Sequence, residues 1–439
     1  GPGARGGELV YFGPVRGLLR CRRSLTGRYL RAPSAVGAPR APGPTAPAGP
    51  LATPPPLLSI RGAAEHNLKA IDVDIPLQKL VCLTGVSGSG KSTLLEDVCY
   101  RGLRRLMHQS TEPPGRHREI IGHEALRQVV LVDQAPIGKT ARSNPASYVG
   151  AFDELRTLFA AQPLARLRGY TASTFSFNSG NGRCPACGGS GFERVEMQFL
   201  SDVYLRCPDC DGRRYRPEVL EVKILAETTA PERAPRRSAS IADVLEMTVA
   251  AADAFFAGAP AVREKLAPLL AVGLGYLKLG QPVPTLSGGE AQRLKLAGHL
   301  AAGHGTGPTL FLFDEPTTGL HFEDVATLLH ALRQLLAAGH SVVVIEHNLD
   351  VIRAADWIID LGPEGGDRGG EVVCAGPPAV VAACMRSHTG AALRGAIAPQ
   401  PGGAAPALNP APRCGRPGPP CIQIHHAREH NLKNVDITI

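Results

Sequence analysis

A glycine-rich segment from Gly85 to Ser92 has the composition and spacing of a phosphate-binding loop. It reads Gly-x-x-x-x-Gly-Lys-Ser, follows the apolar run Leu80 to Leu83 and precedes a helical pattern, which is the strand–loop–helix context that this motif requires. The glycines let backbone N–H groups point at a phosphate, and the helix start adds a favourable partial charge. We therefore predict that Lys91 reaches the β- and γ-phosphates of a nucleotide and that Ser92 ligates Mg²⁺. A glycine-rich turn that binds nothing is the alternative.

A second apolar run, Leu310 to Phe313, ends in the two acids Asp314 and Glu315. A carboxylate at the end of a buried strand suits a further contact to Mg²⁺, and Glu315 could polarise the attacking water. Taken alone, the two acids are equally consistent with an ordinary polar surface. Together with the phosphate-binding loop they indicate nucleotide hydrolysis.

Three more polar side chains stand where a strand ends or a helix begins. Ser287, followed by Gly288 and Gly289, starts a helical pattern, and a helix start is a second phosphate site. If it lies at the far end of the domain, it cannot serve the nucleotide on its own loop. His347 follows an apolar strand, and its imidazole could contact a γ-phosphate from there. Gln134 also follows an apolar strand. A lone histidine is more often structural, so its assignment depends on the other motifs.

Four of the eleven cysteines form two Cys-x-x-Cys pairs: Cys184 with Cys187, and Cys207 with Cys210. This spacing predicts a closed, structural Cys₄ zinc site in a reducing compartment. Zinc would contribute folding free energy on the order of 10 kcal/mol to a segment with little core of its own. The residues between the pairs alternate like a β-hairpin at Val195, Met197 and Phe199. Free thiols or an iron–sulfur cluster are the alternatives.

The stretch from Gln134 to Arg183 is locally basic. It contains six basic residues and two acids, and aromatic residues are interleaved with the basic ones: Lys139, Arg142, Arg156, Arg166, Arg168 and Arg183, with among others Tyr148, Tyr170, Phe175 and Phe177. Such a mixture suits phosphate contacts with aromatic packing, although a solvated basic face is an equal alternative. The formal net charge of +8 adds little, because residues 1–56 hold eight Arg and one Glu.

The composition indicates a globular protein with alternating domains and connectors. The 439 residues are 44% hydrophobic and 20% charged, enough for two or three domains around one large core. No run approaches the ~18 apolar residues that span a bilayer, and the first residues lack the apolar region of a signal peptide. An integral membrane protein and a small disulfide-stapled secreted domain are therefore excluded.

An internal repeat suggests how the chain is organised. The segment 60–75 recurs at 424–439, and two N-terminal strings recur near residues 362 and 387 with nearly the same offset, which leaves chance similarity as a weak alternative. We expect a piece of a longer tandem polypeptide. The expected parts are a tail of one module (1–30), a Pro/Ala-rich linker (31–56), a complete module (57–398) with an insert at about 134–285, a second linker (399–420) and the start of a following module (421–439).

The motifs GVSGSGKST, LSGGEAQR, FLFDEPTTGLH and VVVIEHNLD resemble those of ABC-type ATPases. The strings VDQAPIGKTARSNPASY, STFSFNSGNGRCPAC and GLGYLKLGQPVPTLSGGEAQR further resemble the second half of UvrA proteins, the damage-recognition subunits of the bacterial excinuclease. The resemblance implies an α/β fold, a P-loop ABC-type ATPase domain with an inserted helical and zinc-hairpin signature domain. It covers about 57–395 almost continuously.

The resemblance also implies roles for single residues. In that family two domains enclose two ATP molecules, and each ATP lies between one phosphate-binding loop and the Ser-Gly-Gly helix of the other domain. Glu315 would be the catalytic base, His347 the switch histidine and Gln134 the Q-loop residue. Nucleotide and Mg²⁺ contacts would come from Gly85, Ser87, Gly88, Gly90, Lys91, Ser92, Thr93, Asp314, Ser287, Gly288 and Gly289.

The implied function is ATP-gated binding of distorted duplex DNA in nucleotide excision repair, with ATP, Mg²⁺ and Zn²⁺ as cofactors. The DNA contacts would come from Lys139, Arg142, Arg168 and Arg183. The sequence contains no nuclease constellation, so partners would cut the DNA. The implied partners are damaged double-stranded DNA, a UvrB-like protein that binds through a region absent here, a second ABC module in cis and a second copy of the protein. No membrane partner is implied, and the location would be the bacterial cytoplasm, at the nucleoid.

One departure from the family is the module start at 421–439, because an ordinary UvrA ends after its second half. It suggests a fused tandem protein or a paralogue. A paralogue that protects its host from its own antibiotic is therefore one rival function. An ATPase subunit of a transporter is another, and the cysteine-containing insertion argues against it.

Overall fold

A computed structural model describes residues 6–31, 56–135, 137, 142–195, 203–226, 238–301, 307–397, 422–428 and 432–438. The chain divides into two compact units. One consists of Gly1–Leu131 with Gly307–Ile439, and the other of Val132–Thr306. We call them the sheet unit and the cysteine unit.

The described residues form strands and helices in the following order along the chain. The strands are β1 (Leu57–Ala63), β2 (Ile71–Pro76), β3 (Leu80–Gly85), β4 (Glu119–Ile121), β5 (Gln128–Val132), β6 (Phe192–Val195), β7 (Val203–Arg206), β8 (Lys223–Leu225), β9 (Ser238–Ser240), β10 (Thr309–Asp314), β11 (Ser341–Ile345), β12 (Trp357–Gly362), β13 (Glu371–Gly376), β14 (Gln423–Ala427) and β15 (Val435–Thr438). The α-helices are α1 (Val15–Arg20), α2 (Leu25–Arg31), α3 (Arg101–Leu106), α4 (Pro145–Tyr148), α5 (Ala151–Ala160), α6 (Pro163–Leu167), α7 (Pro217–Leu220), α8 (Ile241–Glu246), α9 (Val249–Phe255), α10 (Pro260–Ala271), α11 (Gly288–Ala301), α12 (Phe322–Ala337), α13 (Leu349–Ala354), α14 (Pro378–Ala383) and α15 (His388–Ile397).

A six-stranded sheet in the order β13-β12-β3-β11-β10-β5 forms the centre of the sheet unit. Strands β12, β3, β11 and β10 are parallel, and β13 runs antiparallel to β12. Because both faces of such a sheet are covered, its strands are continuous apolar runs, and every residue of β11 is buried. The parallel strands bring their carboxyl ends to one edge of the sheet. The predicted α/β fold of an ABC-type ATPase is confirmed.

A three-stranded sheet, β2-β1-β4, shares one hydrophobic core with the helix that follows the phosphate-binding loop. The sequence predicts a helix here, and the structure contains a π-helix, Thr93–Tyr100, that continues as α3. It buries Leu94, Leu95 and Val98 against that core. The wider winding of a π-helix is a geometry that side-chain periodicity does not distinguish from an α-helix.

The repeated sequence segments have the same local structure. Val73 pairs with Ile60 in the β1–β2 hairpin, as Ile437 pairs with Ile424 in β14–β15, and both hairpins change register at the same place. Lys69 contacts Glu371 at 2.9 Å, and its repeat Lys433 contacts Glu8 at 3.2 Å. Burial differs, since Ile60 is fully buried and Ile424 is 42% exposed.

In the part of the cysteine unit that the structure describes, helices of 4 to 14 residues accompany two small antiparallel strand pairs, β6–β7 and β8–β9. Strand β6 pairs antiparallel with β7, which confirms the predicted hairpin at its two ends. Met197 and Phe199, which the prediction also includes, lie outside the described residues. Helix α5 buries Phe152, Leu155 and Phe159 in the core of this unit.

Among the helices that the structure describes, none combines the length and the apolar character needed to cross a bilayer.

Candidate nucleotide site and cysteine cluster

The phosphate-binding loop connects β3 to the π-helix in the sheet unit. Lys91 is 7% exposed, and its Nζ donates hydrogen bonds to the carbonyl oxygens of Gly85 (3.0 Å) and Val86 (2.9 Å). Burial lowers the pKa of Lys91, and the carboxylates of Glu315 and Asp314 partly offset this effect. The predicted lysine and the two predicted acids therefore lie near one another at the same edge of the sheet.

Two glycines of the loop have φ values that residues with a side chain rarely adopt, and both are closely approached by neighbouring atoms. Gly85 has φ +131°, and a Cβ there would lie 2.0 Å from the carbonyl oxygen of Leu361. Gly90 has φ +101°, and its Cβ would lie 2.7 Å from Leu68 Cδ2. Asn67 donates from Nδ2 to the carbonyl oxygen of Gly88 at 2.9 Å, which holds the loop from outside. The loop is thus a preformed backbone cradle, with the Ser87 and Ser92 side chains exposed.

Glu315 follows β10, and His347 follows β11, two residues after its end. The His347 Nε2 lies 3.4 Å from Glu315 Oε1, with each side chain about half exposed. Glu315 has φ +44°, a conformation that is uncommon for residues with a side chain and clusters at functional sites. The structure therefore brings together a candidate base and the candidate switch histidine beside the loop that carries Lys91.

A buried carboxylate adjoins this pair. Glu346 is 2% exposed and accepts hydrogen bonds from the backbone N–H and hydroxyl of Thr317 and from the backbone N–H groups of His347 and Asn348. These donor–acceptor distances are 2.8, 2.9, 3.0 and 3.2 Å. We call Glu346, Thr317, His347 and Asn348 the Glu346 cluster.

The signature segment and Gln134 belong to the cysteine unit. Ser287 and Glu290 bond reciprocally: the Ser287 N–H donates to Glu290 Oε2 at 2.9 Å, and the Glu290 N–H donates to Ser287 Oγ at 3.4 Å. This is a capping box at the start of α11. The Ser287 and Gly288 residues are exposed, and Gly289 is half-buried.

The loop that carries Gln134 is fixed to the same helix, α11. Lys295 Nζ contacts the Asp133 carboxylate and donates to the Asp133 carbonyl oxygen at 3.0 Å. Gln292 Nε2 donates to the Val132 carbonyl oxygen at 2.8 Å. A Cβ at Gly288 would lie 3.5 Å from Gln134 Oε1, so Gln134 and the signature glycines are neighbours.

The four predicted cysteine ligands come together. Their sulfur atoms all lie within 4.8 Å of one another, and Cys187 Sγ is 3.7 Å from Cys210 Sγ. A zinc ion with four Zn–S bonds of about 2.3 Å separates its sulfurs by about 3.8 Å. This donor set therefore fits Zn²⁺.

The surrounding backbone favours thiolates at part of this cluster. Burial opposes ionisation of Cys187, but hydrogen bonds from the N–H groups of Gly191 and Gly189 and from the neighbouring thiols of Cys210 and Cys184 together lower the pKa of Cys187 to about 7. Burial raises the pKa of Cys184 and brings that of Cys210 to about 12.

Arg214 anchors the cysteine cluster within its unit. It is 3% exposed, its Nη2 donates to the Gly280 carbonyl oxygen at 2.8 Å, and its guanidinium lies 5.0 Å from the centre of the Phe177 ring. The backbone N–H of Cys184 donates to the Arg214 carbonyl oxygen at 2.9 Å. One residue therefore joins a cysteine pair, an aromatic core residue and the Gly280 segment.

The arginines that the sequence assigns to DNA make contacts with the protein itself. Arg142 Nη2 donates to Gly188 O at 3.2 Å, Arg183 Nε donates to Gly180 O at 2.8 Å, and Arg168 pairs with Glu221. Lys139 lies outside the described residues. A role of these residues in DNA contact stays a prediction.

Two of the aromatic residues that the sequence interleaves with these basic residues belong to the core. Phe175 and Phe177 are fully buried, because they pack against Phe159 and Phe152 in the core. They cannot stack on bases in this conformation.

Sequence reasoning missed three buried polar residues that join distant segments within the two units: Glu346, Asp360 and Arg214. Asp360 is 2% exposed and accepts hydrogen bonds from Thr84 Oγ1 (2.8 Å), Ser387 Oγ (2.6 Å) and Thr389 Oγ1 (2.8 Å). For Glu346 and Asp360 the sequence signal was an acid directly after or inside an apolar run, whereas Arg214 stands in a polar, basic segment that gives no such signal.

Comparison with known proteins identifies the family. A curated protein named UvrABC system protein A from Thermus thermophilus is 52% identical over 395 residues, which is 90% of this chain and 39% of that protein. The protein of the same name from Aquifex aeolicus is 50% identical over 396 residues, covering 90% of this chain and 40% of that protein. The solved structure of UvrA2 from Deinococcus radiodurans has a TM-score of 0.75 at 44% identity, over 90% of this chain and 45% of that one.

No family model matches the chain. The chain spans about two-fifths of the length of the curated relatives that it matches. With about half of its residues identical to those of these proteins over nine-tenths of its length, the chain belongs to the UvrA family.

Proposed function

We propose that this chain binds and hydrolyses ATP as part of a UvrA-type protein that recognises damaged duplex DNA in nucleotide excision repair. The observation that carries the proposal is the placement of Lys91, Glu315 and His347 at one edge of the sheet, in a chain about half identical to proteins named UvrABC system protein A. Because the relatives are more than twice as long, the activity of the whole protein is inferred from this part of it.

The loop residues would hold the nucleotide. Backbone N–H groups between Gly85 and Lys91 suit the phosphate oxygens, and the Lys91 ammonium, now bonded to two loop carbonyl oxygens, is a cation that can turn to a phosphate. Ser92 and Asp314 suit Mg²⁺, which would neutralise developing phosphate charge. Glu315 would orient and deprotonate the attacking water, with His347 beside it.

The cysteine cluster would hold Zn²⁺ in a structural role. All four donors are thiolates when the metal binds, which leaves no open position for chemistry. Zinc would hold the β6–β7 hairpin and the flanking turns in one arrangement, and Arg214 would place a buried positive charge close to the thiolates.

The proposed ligand of the whole protein is distorted double-stranded DNA, bound through phosphates and through the ease with which the duplex deforms. Further proposed partners are a second nucleotide module, a second copy of the protein and a UvrB-like protein. The exposed Ser287–Gly288 start of α11 supports a shared nucleotide site, because such a helix start can face the nucleotide of a second module. We expect the protein in the bacterial cytoplasm, at the nucleoid.

Two measurements on the purified chain test this proposal. Mg²⁺-dependent ATP hydrolysis is expected, together with tighter binding to a duplex that carries a bulky adduct than to the same duplex without it. Fluorescence anisotropy at several salt concentrations separates phosphate attraction from lesion preference. Hydrolysis without any lesion preference would keep the ATPase assignment and contradict the damage-recognition part for this portion of the protein.

A further inference from the structure

The Glu346 cluster connects three parts of the sheet unit. The Glu346 backbone N–H donates to the carbonyl oxygen of Leu83 in β3, the strand that leads to the phosphate-binding loop, at 3.3 Å. Its carboxylate bonds Thr317, which lies two residues after Glu315. The same carboxylate bonds the N–H groups of His347 and Asn348, where α13 begins.

The turn after β10 is fixed by this carboxylate and by the backbone. The N–H of Glu315 donates to the carbonyl oxygen of Ile345 at 3.0 Å, and the N–H of Thr318 donates back to the carbonyl oxygen of Glu315 at 3.1 Å. With φ at +44°, Glu315 depends on its surroundings to keep this conformation. Thr317 Oγ1 and N–H are the two groups of this turn that the buried carboxylate holds.

His347 is fixed from the same point. Its backbone N–H donates to Glu346 Oε2 at 3.0 Å, while Thr317 Oγ1 donates to that same oxygen at 2.9 Å. Glu346 Oε2 is therefore bonded both to the backbone of His347, the candidate switch histidine, and to the turn that follows Glu315, the candidate base. The two loops that share this acceptor carry Glu315 and His347, whose Oε1 and Nε2 atoms lie 3.4 Å apart.

We propose that Glu346 is a positioning residue for ATP hydrolysis, which holds the turn after Glu315 and the backbone of His347 in one arrangement. This inference rests on the proposed ATPase function. Glu346 acts through its neighbours, because its buried carboxylate is used by Thr317, His347 and Asn348. Since a shift of about 1 Å in a reacting group can cost roughly 100-fold in rate, the position of these loops matters more for turnover than for nucleotide affinity.

The test is Glu346→Gln in the full 439-residue chain. The glutamine amide has the same shape as the carboxylate, but its NH₂ group can only donate. Whichever carboxylate oxygen the NH₂ group replaces, it meets a backbone N–H donor of Thr317 or of His347 and Asn348. Because two donors cannot bond to each other, we expect the loops that carry Glu315 and His347 to move apart. We expect kcat to fall roughly 10- to 100-fold, with the KM and Kd for ATP changed less than about 3-fold. Thr317→Ser keeps both donors and is expected to retain activity, whereas Thr317→Val removes only the hydroxyl donor and is expected to lower kcat by a smaller factor.

Ser387→Ala is the matched control, because it removes a hydrogen bond to the other buried carboxylate, that of Asp360. It is expected to lower Tm by an amount comparable to Glu346→Gln while kcat stays within about 2-fold. If kcat of Glu346→Gln is also unchanged, or if kcat and ATP affinity fall together, the positioning role is wrong. If Glu346→Gln does not fold, Thr317→Val tests the positioning role instead. A fall in kcat with an unchanged Kd for ATP supports the role, and an unchanged kcat or an equal loss of both contradicts it.

Wild-type activity separates the two levels of inference. A wild-type chain that binds no ATP and hydrolyses none overturns the proposed function, and this inference with it. If the wild-type chain hydrolyses ATP but Glu346→Gln and Thr317→Val do not lower kcat more than they weaken ATP binding, only the positioning role is overturned.

Discussion

The two units hold their functional residues by different physical means. In the sheet unit, the apolar strands β3 and β11 are buried, and the candidate residues Lys91 and His347 lie beyond the ends of these strands. In the cysteine unit, a cluster of four cysteines and the buried Arg214 lie beside the short strand pair β6–β7, where Phe192 is half-buried and Leu205 is exposed. The sheet unit is stabilised mainly by hydrophobic burial, whereas the region around β6 and β7 depends on a few specific contacts.

This difference predicts that the two functions can be damaged separately. A change in the phosphate-binding loop leaves a large apolar core intact, so that the fold survives and the ligand is lost. A change in the cysteine cluster removes most of what orders that region, so that local structure is lost while the sheet remains. The variants below test this separation.

The largest expected effect is that of Lys91→Ala on nucleotide binding. Loss of the ammonium should abolish measurable ATP binding, with affinity at least roughly 100-fold lower, because charge-assisted contacts to phosphate cannot be replaced. Isothermal titration calorimetry measures the affinity, and metal analysis of the same sample measures zinc. Lys278→Ala, in an exposed ion pair of the cysteine unit, is the control. Undiminished ATP affinity in Lys91→Ala would remove the nucleotide site from this loop.

Glu315→Gln should separate binding from turnover within the sheet unit. The amide cannot take a proton from water, so kcat is expected to fall by roughly 10²-fold or more while ATP binding persists. Steady-state hydrolysis and equilibrium binding measured on the same protein provide the comparison. The control is Glu323→Gln, an exposed acid paired with Arg28. Normal hydrolysis by Glu315→Gln would refute the base assignment.

The sequence predicts the elements of the sheet unit that carry the candidate nucleotide residues, because these residues lie in short continuous motifs. The spacing Gly85 to Ser92 requires a strand, a turn and a helix in direct succession, and the acids after Phe313 require a buried strand. The two Cys-x-x-Cys motifs likewise predict that the four cysteines lie close together, because a zinc site requires ligands at this spacing.

The sequence does not predict the buried polar residues that join distant segments. Glu346 meets Thr317, and Asp360 meets Thr84 and Ser387, only after the order of the strands in the sheet is known. A single acid after an apolar run does not indicate its partner. The same limit explains the two phenylalanines, because local alternation of aromatic and basic residues cannot distinguish a core segment from a binding surface.

Cys187→Ser should produce a mid-sized effect confined to the cysteine unit. Loss of one thiolate is expected to release zinc, to lower local stability by several kcal/mol and to reduce discrimination of damaged DNA more than ATP affinity. Metal analysis, DNA anisotropy and ATP titration on one preparation measure the three quantities. Cys21→Ser is the control, because that half-buried cysteine belongs to the sheet unit. Equal losses of DNA discrimination and ATP affinity would argue against a separate DNA role.

The smallest effect tests whether the units unfold independently. Ser240 caps α8 in the cysteine unit, where its N–H donates to Asp243 Oδ2 at 2.9 Å and its hydroxyl accepts from the Asp243 N–H at 3.3 Å. Its replacement by Ala should cost about 1 kcal/mol. Ser387→Ala removes the hydroxyl at the start of α15 in the sheet unit, which accepts from the Gly390 N–H at 2.7 Å and donates to Asp360 Oδ2 at 2.6 Å.

Native-state hydrogen exchange resolves these two losses by position. If stability is local, Ser240→Ala speeds exchange in the cysteine unit and leaves the buried amides of β3 and β11 protected, while Ser387→Ala does the reverse. A uniform increase in exchange across both units in either variant would mean that they unfold as one cooperative body. The separation of nucleotide and DNA effects would then have to arise from the binding sites themselves and not from independent stability of the two units.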